Sequence, residues 1–188
     1  MVSKNFLKIC SIGVLCSATS GLLAQSPDNA THIPAGEIMT VFEHLGDTID
    51  QQIRIVDIGD DINVAVGILR RAGTRTEGEA VNAILHHRVT EVYYVLSGSG
   101  VLVTGGEESN PREFPADNIS VLELIGPSGS RTVINGQVQT ISAGDVVVIP
   151  AGVPHGFSHI QDQVTYLSIR VDPDMTLPTD YLHPSLQE

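Results

Sequence analysis

The segment GDVVVIPAGVPH, residues 144–155, decides the fold prediction for this chain. The aliphatic run 146–149 favours a buried β-strand, and Pro150 marks its end. Gly152 then allows a tight turn, after which His155 begins another strand. We therefore predict a β-structure in which His155 lies at the start of a strand.

A second strand preceded by histidines lies upstream, in the segment HHRVTEVYYVLSG, residues 86–98. Side chains alternate between the two faces of a strand, so Glu91, Tyr93 and Val95 share one face. A buried carboxylate or imidazole needs a polar partner, and a metal ion is one such partner. The two segments together predict a metal site inside a small β-barrel.

The same alternation applies to the strand that begins at His155. If His155 faces the interior, Phe157 and His159 are expected to do so as well. His159 lies about 13 Å further along the strand, too far to share one ion with His155. We therefore expect His159 to line the pocket or to support the ligands from behind.

The remainder of the chain contains many short runs rich in β-branched residues, with turn residues between them. This near-regular spacing favours an all-β sandwich or barrel. Asn135-Gly136 predicts a two-residue hairpin turn, and Ala72-Gly73 predicts a further turn. The predicted strands are residues 53–58, 62–69, 80–85, 91–96, 100–104, 120–125, 131–134, 137–141, 146–149, 156–160 and 164–171.

Two segments depart from the strand pattern. Residues 35–45 have apolar residues near helical spacing, and we predict a short helix outside the barrel that ends near Gly46. Residues 105–118 are polar, with two prolines and four acidic residues, and predict a long loop at 106–118, either a lid over the barrel mouth or a surface excursion. The tail from Asp172 contains prolines and is expected to wrap or fray. The predicted organisation is a leader at 1–24, an arm with the helix and one strand at 25–61, the barrel at 62–171 and the tail at 172–188.

Residues 1–24 have the layout of a secretory signal peptide. Lys4 and Lys8 give a positive start, an uncharged apolar run follows at 9–23, and Ala24 offers a cleavage point. The run is too short and too rich in serine and glycine for a comfortable membrane span, although an uncleaved anchor is an alternative. We predict a secreted or periplasmic protein that has no membrane association after cleavage near Ala24.

The composition after residue 24 excludes several classes of chemistry. No cysteine and no lysine remain, so disulfides, thiol catalysis and a lysine Schiff base are excluded. Eight arginines stand against 22 acidic residues, a formal charge of −14. Such a chain repels phosphate backbones, so we expect no nucleic-acid partner.

The segment 144–155 resembles the second motif of the cupin superfamily, which reads G-x5-P-x-G-x2-H-x3-N. Gly144, Pro150, Gly152 and His155 match it at every spacing, and His159 stands where asparagine is usual.

The upstream segment resembles the first cupin motif, G-x5-H-x-H-x3,4-E-x6-G, in its second half only. Glu91 and Gly98 match. A four-residue gap before Glu91 makes His86 the ligand and places Ile84 at the position of the partner histidine. A three-residue gap makes His87 the ligand, again with an aliphatic residue at the partner position. His86 is preferred, because the longer gap is common in small single-domain cupins.

The resemblance implies a jelly-roll β-barrel over about residues 62–171, often dimeric, with one site at its mouth. The ligands carried over are His86 or His87, Glu91 and His155. They would hold one divalent metal ion, of which iron, manganese, zinc and nickel are all compatible with this ligand set. A buried couple of His155 and Glu91 without metal is the alternative interpretation. A homodimer is expected from the resemblance alone.

Two further residues are singled out for a role in the pocket. Tyr93 is expected to supply a hydroxyl beside Glu91 for catalysis, with simple packing as the alternative. One of Arg70 and Arg71 should face inward, because they are neighbours in a strand. An inward arginine favours a ligand that carries a carboxylate, whereas a salt bridge to one of the many acids is the alternative.

Two histidines and one carboxylate with open positions are the ligand set of non-haem Fe(II) oxygenases. We therefore predict metal-assisted chemistry on a small organic molecule, of oxygenase, isomerase or lyase type, with dioxygenase chemistry first. The alternative is a barrel without metal that binds a sugar or an organic acid and has no catalytic activity.

Overall fold

The computed structural model describes residues 29–76 and 78–187. The predicted signal peptide, residues 1–24, lies outside the described residues. The described chain contains one α-helix and nine strands: α1 Ala35–Glu43, β1 Asp50–Asp57, β2 Asn63–Arg75, β3 Val81–His86, β4 Thr90–Thr104, β5 Glu107–Glu113, β6 Ser128–Ile134, β7 Gln137–Ser142, β8 Val146–Ile149 and β9 His155–Asp172.

Strand β9 organises the sheet, in which all pairings are antiparallel. It pairs with β2 along one edge and with β4 along the other, and its first residue also pairs with β3. From this centre β1 extends from β2, β6 and β5 extend from β3, and β7 and β8 extend from β4. The arrangement is that of a jelly-roll barrel, which confirms the predicted all-β fold class.

Alternating side chains of the long strands fill the barrel interior. Glu91, Tyr93 and Val95 of β4 are buried, whereas the intervening Tyr94 and the following Leu96 are exposed. This orientation is the one that the period of two predicts. The interior cluster consists of Leu69, Tyr93, Val95, Leu102, Ile141, Ile149, Phe157, Ile160, Val164 and Tyr166.

The single α-helix lies outside the barrel, as predicted. Val41 of α1 packs against Ile53 of β1 and Ile68 of β2, so the helix covers the outer face of this strand pair. Within the described ranges no helix has the length and apolar character that a membrane span needs.

Three predicted strand ends are wrong, because the strands continue through residues that resemble turn signals. Strand β2 passes through the predicted turn at 72–73, β4 passes through 97–99, and β9 passes through 161–163. The β4–β9 register shifts between Val95 and Ser97 and again between Gly98 and Val101. Such bulges insert residues without ending a strand, so small residues here mark irregularities within long strands.

The predicted long loop at 106–118 is also wrong in part, because residues 107–113 form strand β5. This strand pairs with β6 at the edge of the sheet, and all seven of its residues are exposed. The register shifts between Ser109 and Arg112, around Pro111. An edge strand tolerates proline and polar side chains on both faces, so its composition cannot be distinguished from that of a loop.

Residues 120–125, predicted as a strand, contain a π-helical turn, Val121–Ile125. Val121 and Ile125 are buried and Leu122 is exposed. A short apolar run is compatible with either a strand or a helical turn by pattern alone.

The C-terminal tail wraps around the barrel. Leu177 is buried against Ile55 and Ala65, and Leu182 forms an isolated bridge with Arg54. The tail also buries His183.

Gly98 occupies a position that no other residue type fits. Its φ is +76°, and an added Cβ would lie 2.0 Å from the carbonyl oxygen of Gln163. The backbones of β4 and β9 therefore approach each other closely at this bulge.

Replacing Gly98 with alanine should lower the free energy of unfolding by about 2 kcal/mol or more, because both the strained φ and the clash must be relieved. Gly144→Ala is the matched control: its φ is +94°, but nothing lies within 4 Å of the added Cβ. Only the backbone cost of about 1 kcal/mol applies there. Urea denaturation measures both, and equal losses in the two variants would contradict the close approach at Gly98.

Candidate metal centre

Three strand ends meet at one place in the barrel and carry His86, Glu91 and His155. His86 is the last residue of β3, Glu91 is the second residue of β4, and His155 is the first residue of β9. Strands β3 and β9 pair through Ile84 and His155. The turn between β8 and β9 is also tied to β3, because the N–H of Gly152 donates to the carbonyl of His86 over 2.7 Å.

The polar atoms of these three side chains converge. Glu91 Oε2 lies 3.3 Å from Nε2 of His86 and 3.2 Å from Nε2 of His155. One ligand atom from each residue lies within 4.8 Å of the other two. All three residues are at most 3% exposed, so these atoms depend on partners inside the protein.

Both imidazoles have their Nδ1 atoms engaged on the side away from the cluster. His155 Nδ1 lies 3.0 Å from the carbonyl oxygen of Val153, which can only accept. His86 Nδ1 lies 2.8 Å from Oγ of Ser128, whose own hydroxyl donates to the carbonyl of Gly126 over 2.9 Å. This network assigns the proton of each neutral imidazole to Nδ1 and leaves a lone pair on Nε2.

Glu91 presents one oxygen to a set of donors and the other to the histidines. Its Oε1 accepts from the hydroxyl of Ser168 and from Nε of Arg170, the latter over 3.2 Å. Burial opposes ionisation of Glu91, but its contacts with His155, His86 and Arg170 together hold its pKa well below the usual value. Burial lowers the pKa of His86, against the opposing effect of Glu91. The carboxylate is therefore anionic and His86 is neutral near pH 7.

This arrangement fits a cation between the three side chains. Among the described residues, Glu91 Oε2 and His155 Nε2 have no hydrogen-bond partner although both are buried. Lone pairs that face each other at about 3 Å repel unless a positive charge lies between them. Metal–ligand bonds of about 2.0–2.2 Å place neighbouring ligand atoms about 3.0–3.5 Å apart, and both measured separations fall within that range. Two imidazole nitrogens and a carboxylate suit iron, manganese, zinc or nickel.

Arg170, which our sequence analysis did not single out, supports the carboxylate from behind. It is fully buried, and it donates to Gln52 over 3.1 Å and to the carboxylate of Asp50. A signal was present in the sequence, since Ser168 and Arg170 alternate with Leu167 and Ile169 and so share one face of an apolar strand. Ser128, which orients His86, had no comparable signal, because its partner is 42 residues away.

The structure places His86, and not His87, in the cluster. His87 points outward and its Nε2 contacts the carboxylate of Glu113 at the surface. The four-residue gap before Glu91 is therefore the spacing that brings a histidine to the carboxylate.

His159 does not line the pocket, and the expected inward orientation is wrong. It is exposed and lies opposite Arg75 of β2. The cause is a bulge in β9: Phe157 pairs with Leu102 and His159 with Val101, so β9 has one residue more than β4 in this interval. The extra residue shifts the alternation, and Ile160 faces the interior in place of His159.

Tyr93 lies beside the cluster but within the packed interior. Its ring makes an edge-on contact with His155 at 6.1 Å between centroids and packs on Tyr166 at 4.2 Å. Burial raises its pKa well above the usual value, and the nearby charge of Glu91 adds to this effect. The hydroxyl therefore stays protonated, and it does not line the cavity described below.

A cavity of about 760 Å³ opens next to the cluster. Its volume is in the range of small-molecule sites. His155 is the member of the cluster that lines it, together with Phe157, Ile84 and Arg71. A small molecule in this cavity would approach the three ligand atoms from the His155 side.

Replacing Arg170 with methionine should lower the free energy of unfolding by about 3–5 kcal/mol, because it leaves the charge of Glu91 buried and unpaired. Removing that charge as well should recover part of the loss, so Glu91→Gln combined with Arg170→Met should cost less than the sum of the single variants. Urea denaturation of the four proteins measures the coupling. Additivity within about 0.5 kcal/mol would contradict a direct interaction between these two residues.

Comparison with solved structures finds similar barrels at low sequence identity. The chain is similar to a protein from Bacillus halodurans at 16% identity, covering 84% of this chain and 92% of that one, with a TM-score of 0.42. It is also similar to the DMSP lyase DddQ from Ruegeria pomeroyi at 15% identity, covering 84% and 73%, with a TM-score of 0.40. A predicted oxalate decarboxylase from Thermotoga maritima is similar at 17% identity, covering 66% and 94%, with a TM-score of 0.34. No curated protein matches the chain.

A match to a protein family covers most of the barrel. Residues 69–180 match the family described as Cupin, and this range contains His86, Glu91 and His155 as well as the segment 144–155. The antiparallel barrel agrees with this assignment, and the chain belongs to the cupin family.

Proposed function

We propose that this protein binds one divalent metal ion through His86, Glu91 and His155 and acts on a small organic molecule held in the adjacent cavity. The observation that carries the proposal is the pair of buried atoms without hydrogen-bond partners, Glu91 Oε2 and His155 Nε2. A buried polar atom without a partner costs about 1–3 kcal/mol, and a metal ion would satisfy both atoms at once.

The surrounding residues orient the three side chains for metal binding. Ser128 and the carbonyl of Val153 hold the two imidazoles with Nε2 directed at the cluster. Arg170 and Ser168 keep the carboxylate of Glu91 anionic and fix its orientation. Such supporting contacts are a regular feature of metal sites, because they set the tautomer of each histidine. When bound, the metal would serve as a Lewis acid or as a redox centre.

The number of protein ligands sets the order in which classes of reaction are tested. Three ligands leave positions open for a substrate and for a second small molecule such as dioxygen. Dioxygenase-type chemistry is therefore the first class to test, and isomerase and lyase chemistry use the same ligand set.

A barrel that binds a small molecule without metal or catalysis is the second candidate. It is favoured by Ile84, which stands at the position of the second motif histidine and lines the cavity with an aliphatic side chain. In this alternative Nε2 of His155 and Oε2 of Glu91, which lie 3.2 Å apart, would form a direct hydrogen bond.

Elemental analysis by mass spectrometry tests the two candidates. The purified protein should contain about one iron, manganese, zinc or nickel ion per chain, and His155→Ala and Glu91→Ala should each lose it. His87→Ala and His159→Ala are matched controls that should retain the metal, since both histidines point away from the cluster. A chelator should lower the melting temperature of the wild type and of the controls, because the metal binds only the folded state. If the wild type contains no metal even after incubation with each ion, the metal site is contradicted and the metal-free binding barrel is the remaining candidate.

Export from the cytoplasm is the second part of the proposal. It rests on the charged start at Lys4 and Lys8 and on the uncharged apolar run at 9–23. In a bacterial host, full-length protein should accumulate outside the cytoplasm with a mature N-terminus at Gln25. Leu15→Arg, which interrupts the apolar run, should cause retention. Recovery of the wild type only from the cytoplasm, with its first residues intact, would overturn this part of the proposal.

A further inference from the structure

The cavity beside the cluster is lined by an arginine, Arg71, that forms no salt bridge within the described residues. Arg70 and Arg71 of β2 both line the cavity. The guanidinium of Arg70 is engaged elsewhere: it donates to the carbonyl of Gly46 over 2.7 Å and lies over the ring of Phe42. Strand alternation explains why the two side chains diverge.

Two contacts fix the position of Arg71. Its Nε donates to the hydroxyl of the buried Tyr166 over 2.9 Å, and its guanidinium carbon lies 6.0 Å from the centre of the Phe157 ring. Of the five N–H donors of a guanidinium, these contacts use one. The remaining donors are on the two terminal nitrogens, which form the fork that binds a carboxylate through two parallel hydrogen bonds.

No acid of the described residues pairs with Arg71. The salt bridges of Arg54, Arg88, Arg131 and Arg170 all reach carboxylates within 4.0 Å, and none involves Arg71. Asp47 and Asp162 also line the cavity, but neither lies within that distance of the guanidinium. In a chain with 22 acidic residues, this arginine of the cavity wall therefore offers its terminal nitrogens to an external anion.

We propose that Arg71 binds a carboxylate of the small molecule on which this protein acts, so that the substrates or ligands are small organic acids. This inference rests on the proposed function, because it assigns the substrate class of the same cavity. His155 and Arg71 line the same cavity. An acid bound at Arg71 would lie against the apolar ring of Phe157 and place its remaining part near His155. A neutral sugar would leave the guanidinium unpaired.

The test measures binding by titration calorimetry with acids and their neutral counterparts. The probes are succinate and benzoate, each compared with its amide, and glucose as a neutral sugar. Wild-type protein should bind at least one acid, with its amide at least about 10-fold weaker, because a hydrogen bond to a charged group is lost. Arg71→Met should weaken binding of the acid by about 10-fold or more, and Arg71→Lys should fall between the two, because it keeps the charge but loses the fork.

Arg75→Met is the matched control, since Arg75 is on the same strand but is exposed and does not line the cavity. It should bind the acid as the wild type does. Equal affinity of the wild type and Arg71→Met for the acid would overturn the proposal, and so would a wild type that binds none of the acids. Arg71→Lys keeps the test valid if the methionine variant does not fold.

The metal content of every protein is measured in parallel, and the titrations are repeated after metal removal. Arg71→Met should retain the metal of the wild type, because Arg71 is not a ligand. If no metal is found but acids still bind in an Arg71-dependent manner, the metal-dependent function fails and the carboxylate site stands. If metal is present and Arg71→Met has no effect on the acids, the carboxylate site fails and the metal site stands.

Discussion

The negative charge of Glu91 in the interior of the barrel is the constraint on which the rest of the site depends. A carboxylate removed from water needs compensation on every side. Behind it, Arg170 and Ser168 engage Oε1, and Arg170 is in turn held by Gln52 and Asp50. In front of it, Oε2 faces two imidazole nitrogens that carry lone pairs. The protein therefore supplies hydrogen-bond donors to Oε1 of Glu91, whereas Oε2 and the two imidazole nitrogens form a site that suits a cation.

The fold supplies this arrangement through strand β9. Its first residue is His155 and its last part carries Ser168 and Arg170, so one strand contributes to both sides of Glu91. Strand β4 lies beside it, with Glu91 opposite Arg170 in the register. The bulges between β4 and β9 keep the two strands paired, because they accommodate the difference in length between them. Gly98 is required at one of these bulges by a backbone contact.

The features that the sequence predicts correctly depend on residues that are close together in the chain. The aliphatic run 146–149 coincides with β8, and the row of Glu91, Tyr93 and Val95 faces the interior as the period of two requires. Strand alternation predicts the wrong face for His159, because one extra residue in β9 changes the alternation. No residue type in this part of the sequence indicates such a bulge. The polar composition of strand β5 predicts a loop, because an exposed edge strand has the same composition. The partners behind the cluster, Ser128 and Arg170, depend on strand pairing over long distances, which local patterns do not contain.

The most direct test of the metal centre is a crystal structure of the protein grown with iron, manganese, zinc or nickel, with diffraction data collected at the absorption edge of the ion. The account predicts one strong anomalous peak among Nε2 of His86, Nε2 of His155 and Oε2 of Glu91, at about 2.0–2.2 Å from each. It would be contradicted by the absence of a peak at this position together with a direct hydrogen bond from His155 Nε2 to Glu91. In that case His155 would be hydrogen-bonded to the carboxylate of Glu91, and the barrel would bind its ligand without metal.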